Sequence, residues 1–146
     1  MMPKCNYFWV SGAIRLVAKT LKKKALCDMY SLQIQDHFNA IRPWIDVKVF
    51  GIEGLEEKFN EVFIPEITEK FAPVFEKVLE KNPSGYLVGE TLTWVDFHLA
   101  DFTDKCITCG KEDIFENFPK LVAHRDKILS LPNLQEYLKS RPDYAI

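Results

Sequence analysis

The chain has 146 residues, of which 47% are hydrophobic and 27% charged, and a formal net charge of −2. That is one domain's length with enough apolar content for a real core, which excludes a disordered segment. The slightly acidic balance gives no global attraction to nucleic acid, and no apolar run approaches the ~20 residues that a membrane helix needs.

Met1 to Val10 carries one lysine and a very short apolar patch, too little for a secretory signal. The four cysteines are therefore expected to be reduced thiols in a cytoplasmic protein. Lys22-Lys23-Lys24 reads as the basic close of a short amphipathic helix, where it would suit the negative end of the dipole. Leu26, Tyr30, Ile34, Phe38, Ile41 and Ile45 then recur at steps of four, four, four, three and four, one face of a long helix. Arg42-Pro43 should bend that helix near its end, because proline offers no donor and clashes one turn back. Gly51 and Gly54 mark a turn. A second long helix carries a stripe of Leu55, Phe59, Val62, Phe63, Phe71, Val74, Phe75 and Val78, and Pro65 and Pro73 should kink it. Asn82-Pro83-Ser84-Gly85 reads as a loop.

The run Leu92-Thr93-Trp94-Val95-Asp96-Phe97 starts a helix in several agreeing ways. The Thr93 hydroxyl can accept the backbone N–H three residues on, and Asp96 can reach back to the N–H of Thr93, a capping box with aspartate in place of glutamate. Leu92 and Phe97 are spaced for a hydrophobic staple, and a carboxylate in the first turn suits the positive end of the dipole. This helix should end near Gly110. A shorter one covers about Pro119 to Ser130, and a last one follows Pro132.

Cys106 and Cys109 form a C-x-x-C that can in principle hold a metal or exchange thiols. They also continue a stripe of Val95, Leu99 and Phe102, at steps of four, three, four and three, which points them inward as small buried hydrophobes. No second C-x-x-C or H-x-x-x-H accompanies them, so core packing is the expectation and no metal site is. Cys5 and Cys27 have no partner that sequence identifies. His37, His98 and His124 fall on different helices without the neighbours of a nucleophile pair or ligand cluster.

Leu87-Val88-Gly89, then Thr93-Trp94-Val95-Asp96, then Leu134-Gln135-Glu136-Tyr137-Leu138 to Arg141-Pro142 stand in an order and spacing that resembles the C-terminal helical domain of glutathione transferases. The sigma-like class, which includes the haematopoietic prostaglandin D synthases, is the most similar. The match runs from about Ser11 to the end. It implies an all-α domain of about six helices over residues 25–146, preceded by a remnant of the last helix of a thioredoxin-like domain at 11–24 and an unmatched segment at 1–10.

The resemblance also implies a role for particular residues. This half of the family builds the wall of the electrophile pocket and part of a dimer interface, and the wall would draw on Phe38, Ile41, Trp44, His98 and Phe102, with Tyr144 to Ile146 near the rim. Pro43-Trp44 repeats a proline-tryptophan of the prostaglandin synthases. Ser11 matches a serine that holds the γ-glutamyl carboxylate of glutathione, although Val10 replaces the family's glutamine. Asp36 approximately matches an acidic residue that touches glutathione across the dimer, and is equally readable as a solvated helix aspartate. The family's glutathione-activating tyrosine ends the first strand of its thioredoxin-like domain. Tyr7 lies only four residues before Ser11, with no room for the intervening βαβ unit, so it reads as packing and no catalytic residue is assigned. Three classes of function follow. One is a glutathione transferase that conjugates glutathione, as co-substrate, to hydrophobic electrophiles; it would be truncated here, inactive alone, and dependent on a homodimer or a partner supplying the missing half. The second is a non-catalytic helical module that binds ligands or a partner. The third is an unrelated helical adaptor.

Overall fold

A computed structural model describes residues 16–142. Helices account for the regular structure, with no strand among the described residues. The first is α1 (Leu21–Ala40), started by Thr20, whose hydroxyl accepts the N–H of Lys23 at 3.2 Å. Lys22, Lys23 and Lys24 thus lie in the first turn of α1, at its positive end, and not at the negative end of an earlier helix as the sequence led us to expect. The threonine cap decides the start of the helix, and the exposed ammonium groups are solvated there at small cost.

At Ile41 the chain breaks into α2 (Arg42–Phe50), with Pro43 in its first turn, where a missing N–H does no harm. The predicted single stripe is therefore carried by two rods. Gly51 and Gly54 turn the chain at φ 62° and 97°, a left-handed conformation that favours glycine. Helix α3 (Leu55–Lys58) then runs through two π turns, Phe59–Phe63 and Glu66–Phe71, into α4 (Ala72–Lys81). Helical backbone runs unbroken from Leu55 to Lys81, and Pro65 and Pro73 each follow one of these wide turns. Next come α5 (Trp94–Lys105), extended by a third π turn at Cys106–Gly110, then α6 (Pro119–Leu129) and α7 (Pro132–Ser140). With α3 and α4 counted as one rod, six rods surround the core.

The core is aromatic. Phe71 meets Phe102 edge-on at 4.8 Å between ring centroids and Phe75 at 5.0 Å. Trp44 and Phe63 lie 4.2 Å apart. Each such buried side chain contributes about 1.5–3 kcal/mol through removal from water, and the ring pairs somewhat more.

Three of the four buried carboxylates among the described residues join rods at α5 and α6. Asp96 is fully buried at the start of α5, and the capping box with Thr93 is formed. One of its oxygens accepts the N–H and hydroxyl of Thr93 at 2.8 and 2.9 Å. The other accepts the N–H of Leu87 at 2.8 Å and Nε2–H of His124 on α6 at 3.0 Å. Glu76 on α4 accepts the N–H groups of Lys120 and Leu121, both at 2.9 Å, and so caps α6, which has no cap of its own. Asp104 takes Arg125 at 3.0 Å and Arg141 at 2.9 Å, closing α7 onto α5 and α6.

Removing the Asp96 carboxylate strands two backbone donors, a hydroxyl and an imidazole in the interior. Asp96→Ala should therefore cost on the order of 3–5 kcal/mol, beyond an exposed cap. Urea unfolding checks this, and an unshifted midpoint would show that the hub carries nothing.

Candidate functional site

The residues named from sequence fall into three places. Phe38, Ile41 and Phe102 come together with Ile45, Phe63, Lys105 and Cys106 around a narrow groove of about 10 Å³. Phe38 and Phe102 meet edge-on at 6.4 Å, and Ile41 and Phe102 are buried by the core behind them. The three form one apolar surface with almost no space in it. Trp44 is elsewhere. It lies in the floor of an open cleft of about 320 Å³ lined also by Lys48, Leu55, Glu56, Phe59, Cys109 and Gly110.

His98 borders neither space. It sits half-buried on α5, and its Nδ1 shares a hydrogen bond of 3.0 Å with Ser31 Oγ on α1. Burial pushes its pKa below the ordinary histidine range; Asp101 opposes the shift and Lys105 adds to it. The ring is thus a neutral polar group between α1 and α5 at neutral pH. Asp36 is exposed on α1. Ser11, Tyr7 and the segment Tyr144 to Ile146 lie outside the described residues.

The neighbouring His37 meets a carboxylate instead. Its Nδ1–H donates to Glu66 at 2.7 Å, and Lys70 donates to the other oxygen at 2.7 Å. Burial works to raise the Glu66 carboxyl, but its bonds to Lys70 and His37 outweigh that and hold it below the usual range. This is a tie between α1 and the second π turn.

The open cleft was not visible in the sequence. Lys48 donates to the carbonyl of Cys109 and stands 5.1 Å over the Trp44 ring. Phe59 stacks on Phe63 at 5.3 Å. A Cβ on Gly110 would come within 2.3 Å of the Phe63 ring, so this glycine lets the end of α5 approach the first π turn. Cys106 is buried, as its stripe implies, and its thiol is pushed well up by burial. Cys109 departs from the stripe: it is half-exposed in the cleft, because the π turn rotates it off the inward face. The only sequence signal for the cleft was the glycine pair at 51 and 54 that parts α2 from α3. Among the described residues no group of three or more His, Cys, Asp or Glu is placed to hold a metal ion, and no helix is long and apolar enough to cross a membrane.

An all-helical domain opened by a buried threonine–aspartate box and carrying an apolar wall on α1, α2 and α5 can be compared with known proteins. Residues 40–141 match the family model for the C-terminal domain of glutathione S-transferase. The chain belongs to the glutathione S-transferase family. It is 34% identical over 122 residues to probable glutathione S-transferase 6 of Caenorhabditis elegans, covering 80% of this chain and 56% of that protein. Probable glutathione S-transferase 5 of the same organism is 32% identical over 135 residues, covering 92% and 64%. Monomeric Na-GST-3 from the hookworm Necator americanus superposes with a TM-score of 0.83 at 35% identity, over 90% of this chain and 64% of that structure. The chain thus spans 56–64% of the length of these relatives.

His98 supplies a test of the site's electrostatics. Its folded-state pKa lies below the unfolded value of about 6.5, so the unfolded chain binds the proton more tightly. Its contribution to stability is intact above that value, declines as pH falls through it, and levels off below the folded pKa. Nuclear magnetic resonance titration of the ring should give a midpoint below about 6.5. Stability should fall from pH 7 toward pH 5 less steeply in His98→Asn than in wild type. A ring titrating at or above the free value contradicts the buried placement.

Proposed function

We propose that the chain is the helical half of a sigma-like glutathione transferase of the cytosol, acting on hydrophobic electrophiles in detoxification. In this reading Phe38, Ile41, Trp44, His98 and Phe102 form the electrophile wall, and Asp36 and Ser11 stand at the glutathione edge. Residues 25–146 make the helical domain, and 11–24 are the end of a thioredoxin-like domain. Glutathione is the co-substrate and no other cofactor is required. The half that binds and activates it packs against this wall.

The observation that carries the reading is an apolar surface on α1 and α5 that the helical core does not use. Leu21, Met29 and Leu32 are 85%, 49% and 67% exposed, and steps of eight and three place them on one side of α1. Trp94 adds a 37% exposed indole at the start of α5. Soluble proteins rarely leave such a surface bare, and a second domain packed on α1 and α5 would cover it. The groove beside Phe38 and Phe102 has room for only about 10 Å³, so this half offers a wall and not an enclosed site. Rate acceleration needs a donor that stabilises the thiolate of glutathione, and the family draws that donor from the other half.

The purified chain, assayed with glutathione and chlorodinitrobenzene, should therefore conjugate at the buffer rate. Fusing it to the thioredoxin-like half of a related transferase should raise the rate above that of either part. Conjugation by the chain alone, abolished by Tyr7→Phe, would overturn the proposal. A second reading, a non-catalytic ligand-binding module, is favoured by the open cleft at Trp44. It predicts ligand binding with no conjugation even in the fusion.

A further inference from the structure

A backbone hydrogen bond ties one stretch of chain to the apolar side of α1. The N–H of Trp94 donates to the carbonyl of Leu16 at 3.1 Å. This bond anchors the first described residue at the start of α5. Ser31 meets His98 and Phe38 meets Phe102, so α1 and α5 run side by side in the same direction. Trp94 lies four residues before His98 and is therefore level with α1 about one turn before Ser31. The anchor thus stands beside the middle of the exposed strip of Leu21, Met29 and Leu32. Val17 and Trp94 add apolar surface next to it. From Leu21 to Leu32 the strip is about 16 Å long.

The sequence that precedes the anchor suits that strip. Tyr7-Phe8-Trp9-Val10 is a run of three aromatics and a valine, ending six residues before Leu16. Six extended residues span at most about 20 Å, so Val10 can lie against either end of the strip. We propose that Tyr7 to Val10 fold back within the chain onto Leu21, Met29, Leu32 and Trp94, covering the apolar side of α1. Each aromatic ring brings about 150–250 Å² of surface to bury. Charge favours the same placement. Residues 1–15 carry Lys4 and Arg15 and no acidic side chain. Asp28 and Asp36 are exposed on the strip's side of α1, at a step of seven from Leu21 and of four from Leu32. Lys22, Lys23 and Lys24 are exposed at the tip, so the basic segment is steered along the strip and away from that end. A short tether also gives the segment an effective concentration of roughly millimolar order, which favours it over a second copy of the chain. The other half of a transferase would have to displace the segment, the one point that rests on the reading above.

In the full chain, Phe8 is exchanged for the photoreactive p-benzoylphenylalanine, and irradiation is followed by peptide mass spectrometry. The ring should insert into Met29 or Leu32 of the same chain, with a yield that does not depend on protein concentration. Leu32→Lys, at an exposed position, should lower that yield about tenfold, the effect of losing one buried leucine from the contact. A benzophenone is bulkier than the native ring, so a second arm keeps natural residues. The double variant Phe8→Ser, Trp9→Ser should bind several-fold more anilinonaphthalenesulfonate than wild type, because the strip is bared. Insertion between two chains would make a second copy the occupant. Insertion elsewhere in the chain, a yield untouched by Leu32→Lys, or dye binding unchanged or lowered in the double variant would mean that the segment does not cover the strip. Each of these results overturns the proposal. Every arm uses the chain without glutathione and without the other half, so failure here leaves conjugation by the fusion to decide the transferase reading.

Discussion

Everything else in the fold hangs on a carboxylate with no contact with water. Asp96 is fully buried, and its two oxygens receive four donors from three parts of the chain. The Thr93 contacts set where α5 begins. The Leu87 N–H fixes the loop that enters it, and His124 brings in α6. With backbone donors on both oxygens the carboxylate has only acceptor positions to offer, so His124 presents Nε2–H to it, and its Nδ1 has no partner among the described residues. A polar cluster of this kind is worth having only when it is satisfied as a unit, because each unmatched member in a low dielectric costs more than its bond returns. Glu76 and Asp104 repeat the device at lower burial, one capping α6 from α4 and the other holding α7.

What sequence could show followed the range of the interaction. The capping box was legible because its two side chains are three residues apart and their geometry is dictated by one turn of helix. The turn at Gly51 and Gly54 and the loop at Asn82 to Gly85 were legible for the same local reason. Glu76 was not: it caps a helix from 44 residues away, and nothing in its neighbours distinguishes it from a solvated glutamate. The π turns also escaped, since an apolar stripe is read at a fixed period and a π turn changes the period without changing composition. That is why Cys106 follows its stripe into the core while Cys109 leaves it for the cleft. The run Lys22-Lys23-Lys24 was placed at the wrong end of a helix because charge was weighed and the Thr20 cap was not.

The candidate wall shows the same division. Phe38, Ile41 and Phe102 meet across α1, the break at Ile41 and α5, as a shared stripe requires. Trp44 lies beyond that break, on α2, in the floor of a different space. His98 lies on α5 with its ring turned to Ser31, so its polarity is spent between helices. Phe59 and Lys48, which shape the open cleft with Trp44, are brought there by the first π turn and by α2. Lys48 is marked by no local pattern, and Phe59 only as one member of a long apolar stripe. The apolar side of α1 stays outside the core that these helices share. The cleft at Cys109 is a property of how these particular helices end.

The central claim, that a buried carboxylate binds loop, α5 and α6 into one cooperative unit, is tested most directly by native-state hydrogen exchange at Leu87. Its amide lies in a loop that would ordinarily open alone, at little cost. If Asp96 holds it, Leu87 should exchange only through global unfolding, with the same free energy and denaturant dependence as the amides of Leu99 and Phe102 in α5. Exchange of Leu87 through a local opening, far faster than those amides and insensitive to denaturant, would show that the loop is not tied to the core and would contradict the account.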